Sequence, residues 1–207
     1  GWLLSDGQPT VAGILLFGKN PSAFLPRCGV TFIRFEGTQL RGPDGGASYG
    51  RRVEINAPLA HTIKRTWDIL KEEIHVGAVV RGLKREEQWV YPPTAIREAL
   101  VNAIAHRDYS SYVRGSYIQL RLFADRLEVQ SPGGLYGNVT EETLEAEQST
   151  RNRVLMRLME DAHLVENRGS GIRAMIDAMR RLNLEPPRFQ DRRASFLVTF
   201  RSHTLMG

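Results

Sequence analysis

Three polar residues within one short stretch of the chain could together do chemistry. Glu98, Asn102 and His106 are spaced four residues apart, so on a helix they lie on one face. A carboxylate can orient water, and an amide one turn further on can complete the coordination shell of a magnesium ion. This arrangement is suited to gripping a nucleoside triphosphate. It also fits the ordinary polar face of an amphipathic helix, and spacing alone leaves both interpretations open.

A helix from Pro93 to about Asp108 must position these side chains. Pro93 suits a first helical turn, Thr94 could serve as its cap, and Tyr109 begins the segment that ends it. The opposite face carries the apolar residues Ile96, Ala99, Leu100, Ala103 and Ile104. The sequence therefore predicts that this helix packs on a core and turns its polar stripe toward a cleft.

Two glycine-containing segments could complete such a site. Gly133 and Gly134 follow an alternating pattern over residues 118–130 that predicts an antiparallel hairpin with one packed and one wet face. Gly169 and Gly171 precede a predicted helix, where glycines let backbone amides approach an anion at the positive helix end. A glycine pair at a helix start is common, so this signal alone is weak evidence for phosphate binding.

The remaining elements predict an α+β two-layer sandwich with a mainly antiparallel sheet and helices on one face. The periodicity of apolar residues predicts helices over 55–74, 154–162 and 172–182, and a short helix is predicted from Thr140. Residues 11–17 fit a short apolar helix, and a buried strand would fit the same residues. Strands are predicted over 29–35, around 89–91 and over 194–200, the last lying central or beside the hairpin. The glycine-rich stretch 37–50 predicts a loop.

Composition excludes several classes of protein. The 207 residues with 42% hydrophobic content can bury a core, and no stretch approaches the roughly twenty apolar residues of a membrane span, so we expect a cytoplasmic protein. The single Cys28 excludes an intramolecular disulfide.

A net charge of +5 permits contact with phosphates without requiring it. The sequence starts without methionine, so we expect a preceding segment.

The order of these motifs resembles one family. The run from Pro93 to Tyr109, the segment 125–135, Arg151-Asn152 and the Gly169–Gly171 segment together resemble the C-terminal module of RecG-like transcriptional regulators, a GHKL-type ATPase domain. The stretch 11–21 resembles the segment that follows a Schlafen-type AlbA domain in those proteins. The resemblance implies a linking α/β segment over 1–85 and a GHKL-like module over 86–207, after an upstream AlbA-like domain expected to bind DNA.

The resemblance also implies roles for individual residues in a Bergerat-type pocket that binds ATP and magnesium. Glu98 would be the water-activating base and Asn102 the magnesium ligand. Gly133 and Gly134 would form the first glycine box, beneath the adenine. Gly169 and Gly171 would form the second glycine box, beside the phosphates. His106, Arg107 and Asp108 would extend the helix and line the same cleft.

One departure from the family pattern concerns the base. GHKL ATPases carry an aspartate in the first glycine box that accepts a hydrogen bond from the adenine amine, and the matching place here is near Ser131-Pro132. A neutral hydroxyl accepts more weakly than a carboxylate, so adenine selectivity is in question. Asp125 lies six residues earlier and is not assigned to this role.

The sequence thus predicts a regulatory module that binds ATP and magnesium, with or without weak hydrolysis, and passes its occupancy to an attached DNA-binding domain. One alternative is a degenerate fold that binds no nucleotide and serves as a homodimerisation or interaction scaffold. Another is direct DNA binding, with affinity that falls steeply with salt, through the late arginines Arg168, Arg173, Arg180, Arg181, Arg188, Arg192, Arg193 and Arg201.

Overall fold

The computed structural model describes residues 1–42, 45–46, 48–81, 84–110, 116–147, 149–165 and 171–202. The helices are α1 (Val11–Phe17), α2 (Leu59–Ile74), α3 (Pro93–Ala105), α4 (Arg153–Asp161) and α5 (Gly171–Arg181), with a short 3-10 helix at Pro21–Ala23. The strands are β1 (Val30–Phe35), β2 (Tyr49–Ile55), β3 (His75–Arg81), β4 (Lys84–Trp89), β5 (Ile118–Leu122), β6 (Arg126–Pro132), β7 (Arg188–Asp191) and β8 (Ser195–Arg201).

Six of these strands form one sheet in the order β2-β1-β5-β6-β8-β7, and β3 pairs with β4 in a separate ribbon. Only the β1–β5 pairing in the six-stranded sheet is parallel. The predicted α+β fold with a mainly antiparallel sheet is therefore confirmed. This sheet contains β1 and β2, which precede residue 86, as well as four strands that follow it, so it joins the two predicted parts of the chain. The division into residues 1–85 and 86–207 stays a prediction.

One face of the sheet is apolar and carries the helices. Phe32, Leu120, Val129 and Val198 lie side by side across β1, β5, β6 and β8, and all four are buried. They belong to one hydrophobic cluster with residues of all five helices. The side chains of alternate residues point to the other face, because strands have a two-residue period. There Arg121 and Glu128 form an ion pair at 3.1 Å.

An ion-pair cluster fixes α2 to the sheet. The Glu73 carboxylate lies between Arg34 of β1 and Arg51 of β2, at 2.6 and 2.7 Å. Only 6% of the Glu73 side chain is exposed, so water screens these pairs less than it would at the surface. The cluster holds the first two strands and α2 in one orientation beside α3.

Most predicted elements are confirmed, including α1, β1, α2, the β5–β6 hairpin and β8 beside it. The helix predicted from Thr140 is wrong, since residues 141–146 form turns. Thr94 is not the cap of α3, because Pro92 occupies that position. The edge strands β2 and β7 were not predicted. Among the described residues, no helix is long and apolar enough to cross a membrane.

Candidate functional site

A cavity of about 500 Å³ opens between α3, the first turn of α5, the ends of β6 and β8, and the segment that follows β6. Its lining includes most of the residues singled out from the sequence: Glu98, Asn102, His106, Gly133, Gly134 and Gly171. Gly169 lies outside the described residues. Asp108 is not among the lining residues. Segments far apart in sequence therefore meet around one cavity.

Glu98 and Asn102 form a hydrogen-bonded pair on the cavity side of α3. Asn102 Nδ2 donates to Glu98 Oε1 at 3.2 Å. Burial raises the pKa of the Glu98 carboxyl, and the Asn102 bond and the charge of Arg97 oppose this rise only in part. Because the Asn102 nitrogen faces Glu98, the amide oxygen Oδ1 is left to accept or coordinate. An amide oxygen beside a carboxylate is a donor set that suits a hard cation.

The first residue of α5 packs directly against this pair. A Cβ atom on Gly171 would overlap Glu98 Oε1 and would lie 3.0 Å from Asn102 Nδ2. Glycine therefore permits the close approach of the two helices. The first N–H groups of a helix have no partner within it and favour anions, and here they lie at the same end of the cavity as Glu98.

His106 is the residue at which α3 ends, and it lines the cavity on the turn after Asn102. Burial lowers the pKa of its imidazole, and the positive charge of Arg151 lowers it further. The imidazole is therefore neutral at pH 7. A neutral ring can donate through one nitrogen and accept through the other.

Asp108 packs against the Gly133-Gly134 turn. Gly133 has φ +91°, which glycine adopts readily, and a Cβ there would lie 2.6 Å from Asp108 Cβ. Arg151 pairs with the Asp108 carboxylate at 3.3 Å and donates to Gly134 O at 3.0 Å. Burial alone would raise the pKa of Asp108, but hydrogen bonds from Ser110 and the charges of Arg151 and Arg107 outweigh it and lower the pKa.

The other side of the turn is held by Asp191 at the end of β7. Its Oδ2 accepts from Leu135 N at 3.3 Å, and its Oδ1 accepts from Arg193 N at 2.8 Å. A Cβ on Gly134 would overlap Asp191 Oδ1. The Gly133-Gly134 turn is thus held on one side by Asp108 and its partner Arg151 and on the other by the Asp191 carboxylate.

Three motif side chains satisfy the carbonyl groups at the end of α3, where helical N–H partners run out. Ser131 Oγ donates to Ala103 O at 2.7 Å and Tyr109 OH donates to Ile104 O at 3.1 Å. Asn152 Nδ2 donates to Ala105 O at 2.9 Å. Sequence reasoning missed this function, because the three donors come from separate segments and no spacing links them.

Two cations at the cavity were not assigned to it from the sequence, which placed Arg173 only among the late arginines of the DNA-binding alternative. Arg97 and Arg173 both line the cavity and are exposed, one on α3 and the other on the first turn of α5. Neither forms an ion pair with another described residue. Arg97 is not part of the four-residue series Glu98, Asn102 and His106, so helical spacing did not identify it. Guanidinium groups placed in this way suit phosphate oxygens.

Comparison with known proteins identifies a related family over part of the chain. Residues 115–200 match the family described as "Putative ATP-dependent DNA helicase recG C-terminal", so the resemblance to a RecG-like C-terminal ATPase-like module is confirmed over that range. The range includes Gly133, Gly134 and Gly171, whereas Glu98 and Asn102 precede it. No curated protein sequence matches the chain.

The chain is also similar to a solved structure, that of the DIP2311 protein from Corynebacterium diphtheriae. The TM-score is 0.76 over 99% of this chain, with 24% sequence identity, which supports the fold alone. The chain spans only 40% of that protein's length. DNA binding, homodimerisation and cytoplasmic location stay predictions.

Proposed function

We propose that the cavity binds ATP with magnesium and that the chain acts as a regulatory nucleotide-binding module. The observation that carries this proposal is the convergence of the Glu98–Asn102 pair, the start of α5 at Gly171 and the Gly133-Gly134 turn on one cavity of about 500 Å³. That volume lies within the range of ligand pockets. The RecG-like match of residues 115–200 supports a nucleotide as the ligand class.

The two ends of the cavity suit the two ends of a nucleotide. Val129, Phe196 and Val198 line the cavity at the sheet and offer an apolar surface to a planar base. At the other end, Arg97 and Arg173 flank the first turn of α5. Positive charge and free helical N–H groups together favour the phosphates at this end.

The residues present fit a magnesium ion held mainly by the nucleotide. Magnesium usually keeps several waters and takes one or two protein oxygens plus phosphate oxygens, and Asn102 Oδ1 is available for this role. Accordingly, a cluster of several acidic ligands is not required, and none is found among the described residues. When bound, the ion would neutralise charge on the phosphates.

Weak hydrolysis would depend on Glu98. A carboxylate whose pKa is raised by burial is a better base near neutral pH, and Glu98 would accept a proton from a water that attacks the terminal phosphorus. The bond to the bridging oxygen would break and release ADP and phosphate. Arg97 and Arg173 would stabilise the charge on the phosphate oxygens.

Calorimetry tests the binding proposal. The wild-type chain is titrated with a non-hydrolysable ATP analogue in magnesium and, separately, in EDTA. We expect Asn102→Ala to weaken binding about tenfold or more in magnesium and to change binding little in EDTA, because the amide oxygen acts through the ion. Asn20→Ala, at the start of the distant 3-10 helix, is the control and should behave as wild type. No heat with the wild type would favour an interaction scaffold.

The regulatory part of the proposal concerns the longer protein. We propose that nucleotide occupancy changes how an attached domain binds DNA, as the family resemblance implies. Full-length protein should bind duplex DNA with different affinity in the presence and absence of the ATP analogue. Equal affinities at several salt concentrations would contradict this coupling and leave nucleotide binding itself unaffected.

A further inference from the structure

The structure separates the eight late arginines by their surroundings. Arg173 lines the cavity, and Arg168 lies outside the described residues. The other six fall within residues 180–201, and all six are exposed. This stretch contains six arginines and two acids, so it carries four of the five net positive charges of the chain. The basic character of the protein is therefore concentrated at the end of α5 and on β7 and its neighbour β8.

Arg188 of β7 and Arg201 of β8 lie on the face of the sheet that is turned away from the helices. Arg188 is opposite Thr199, and Thr199 is opposite Glu128, whose ion pair lies on that face. Arg201 is two residues from Thr199 on β8, so it points the same way. Diagonal neighbours of this kind are about 7–8 Å apart. The two arginines thus stand side by side.

Arg192 lies beyond the other end of β7, on the same face. Gln190 is two residues from Arg188 and points the same way, and Arg192 Nη2 donates to Gln190 Oε1 at 3.2 Å. Four residues of extended chain separate Arg188 from Arg192, which is about 13 Å. We name Arg188, Arg192 and Arg201 the arginine surface.

Little of the charge on the arginine surface is neutralised within the protein. Among the described residues, Arg188 and Arg192 form no ion pair, and Arg201 has only a long one, with Asp125 at 3.9 Å. The acid closest in sequence, Asp191, points to the opposite face and accepts a hydrogen bond from the backbone after the glycine turn. The guanidinium groups are therefore left to bind an external anion.

We propose that the arginine surface binds the phosphate backbone of double-stranded DNA. A guanidinium group can donate two parallel hydrogen bonds to one phosphate. A duplex carries one negative charge per about 1.7 Å of its axis, so arginines spread over about 13 Å can each reach a phosphate. Contacts of this kind do not read the bases, so binding is independent of sequence.

The other side chains on this face favour a duplex over a single strand or a membrane. Single strands are bound largely by stacking of bases on aromatic rings. The residues of β7 and β8 that point this way include no aromatic residue; they are Arg188, Gln190, Ser195, Leu197, Thr199 and Arg201. Leu197 is only 2% exposed, so this face offers no apolar side chain to a lipid layer.

This inference goes beyond the proposed function and does not depend on it. The arginine surface is on the opposite side of the sheet from the cavity, and none of its three residues lines the cavity. The inference also concerns the chain of residues 1–207 itself and not an attached domain. It is therefore tested with this chain alone.

Fluorescence anisotropy with a short labelled duplex of mixed sequence, at several salt concentrations, tests the proposal. For the wild type we expect the logarithm of the affinity to fall with that of the salt concentration, with a slope at least as steep as about −3, as three phosphate contacts give. The double variant Arg188→Ala/Arg192→Ala should bind about tenfold more weakly at low salt, and its slope should be shallower by about 2. Its melting temperature should be that of the wild type, because both side chains are exposed.

Arg153→Ala/Arg157→Ala is the matched control. These two arginines are also exposed, but they lie on α4, on the helix side of the sheet. The control removes the same net charge, so it separates the arginine surface from the overall charge of the protein. Its affinity and salt slope should stay close to those of the wild type.

The outcomes are decisive and independent of the cavity. No duplex binding by the wild type at the lowest salt concentration, or equal losses in the two double variants, would overturn the proposal. Tighter binding of the single strand, or binding only to phosphatidylserine vesicles, would also overturn it. Calorimetry should show wild-type affinity for the ATP analogue in Arg188→Ala/Arg192→Ala, so failure of this inference leaves the proposed nucleotide binding standing.

Discussion

Asn102 donates a hydrogen bond to Glu98 across one turn of α3, and Gly171 of α5 packs against both side chains. The acid, the amide and the start of the second helix thus form a single packed unit. The carboxylate is partly removed from water and the amide oxygen is left available. This unit is the part of the cavity on which the chemistry of the proposed function depends.

Glu98→Gln should make the protein more stable at pH 7 and abolish any ATP hydrolysis, with nucleotide binding retained. Because burial raises the pKa of Glu98, the native state favours the protonated form, and wild-type stability falls as pH rises above the ordinary value of 4.5. Glutamine mimics the protonated form. Its advantage in melting temperature should be present at pH 7 and vanish below about pH 4.5.

Glu147→Gln is the control for this comparison. Glu147 also lines the cavity but is exposed. Its substitution should change the melting temperature little at pH 7, because the side chain is exposed. An equal gain in both variants would indicate that general charge reduction, and not the burial of Glu98, explains the effect.

Gly171→Ala should destabilise the protein and abolish nucleotide binding. Alanine normally favours a helix over glycine, but here the added Cβ would overlap Glu98 Oε1 and force α3 and α5 apart. We expect a loss of about 1–3 kcal/mol in the free energy of unfolding, as overpacking usually gives. Urea denaturation measures this loss. Gly37→Ala, where a Cβ meets no atom within 4 Å, should be close to neutral.

Arg151→Ala should loosen the Gly133-Gly134 turn. It removes the ion pair with Asp108 and the bond to Gly134 O, and it leaves a half-buried carboxylate without its strongest charge partner. We expect about 1–3 kcal/mol of lost stability and weaker nucleotide binding. Chemical denaturation and calorimetry check the two effects. Arg180→Ala, which removes an exposed pair at 4.0 Å, should cost little. Similar losses of stability in both variants would contradict the proposal that Arg151 stabilises the Gly133-Gly134 turn.

Much of this architecture could be predicted from local pattern. The alternation in β5 and β6 and the apolar stripe of α3 each specify one element and the face it buries. The edge strand β2 was not found in this way, because Arg51 stands on the same face as Val53 and Ile55, where the pattern calls for an apolar residue. Arg51 is explained by its ion pairs with Glu73 and Glu72 on α2, which sequence spacing does not reveal.

The site was predicted less completely than the fold. Helical spacing and glycine pairs are local signals, and they singled out Glu98, Asn102, Gly133, Gly134 and Gly171, which line the cavity. The roles of these residues stay predictions. The contacts of Asp108 and Asp191 with the glycine turn, and the hydrogen bond from Ser131 to Ala103 O, join segments that are distant in the sequence. Such contacts become visible only when the segments are assembled.

His106 should make stability depend on pH in the physiological range. Burial lowers the pKa of its imidazole below the ordinary 6.5, so the native state resists protonation. Stability from this group is complete above pH 6.5 and is lost as pH falls through and below that value. The melting temperature of the wild type should therefore drop more between pH 7.5 and 5.5 than that of His106→Gln. An exposed-site control, His61→Gln, should follow the wild type.

A co-crystal structure of the chain with a non-hydrolysable ATP analogue and magnesium would show whether the nucleotide occupies the cavity. We expect the base to lie against Phe196 and Val198, the phosphates to lie at the start of α5 near Gly171, and the ion to lie within coordination distance of Asn102 Oδ1. A cavity that stays free of nucleotide at saturating concentration, or a nucleotide bound elsewhere on the surface, would contradict the proposed function.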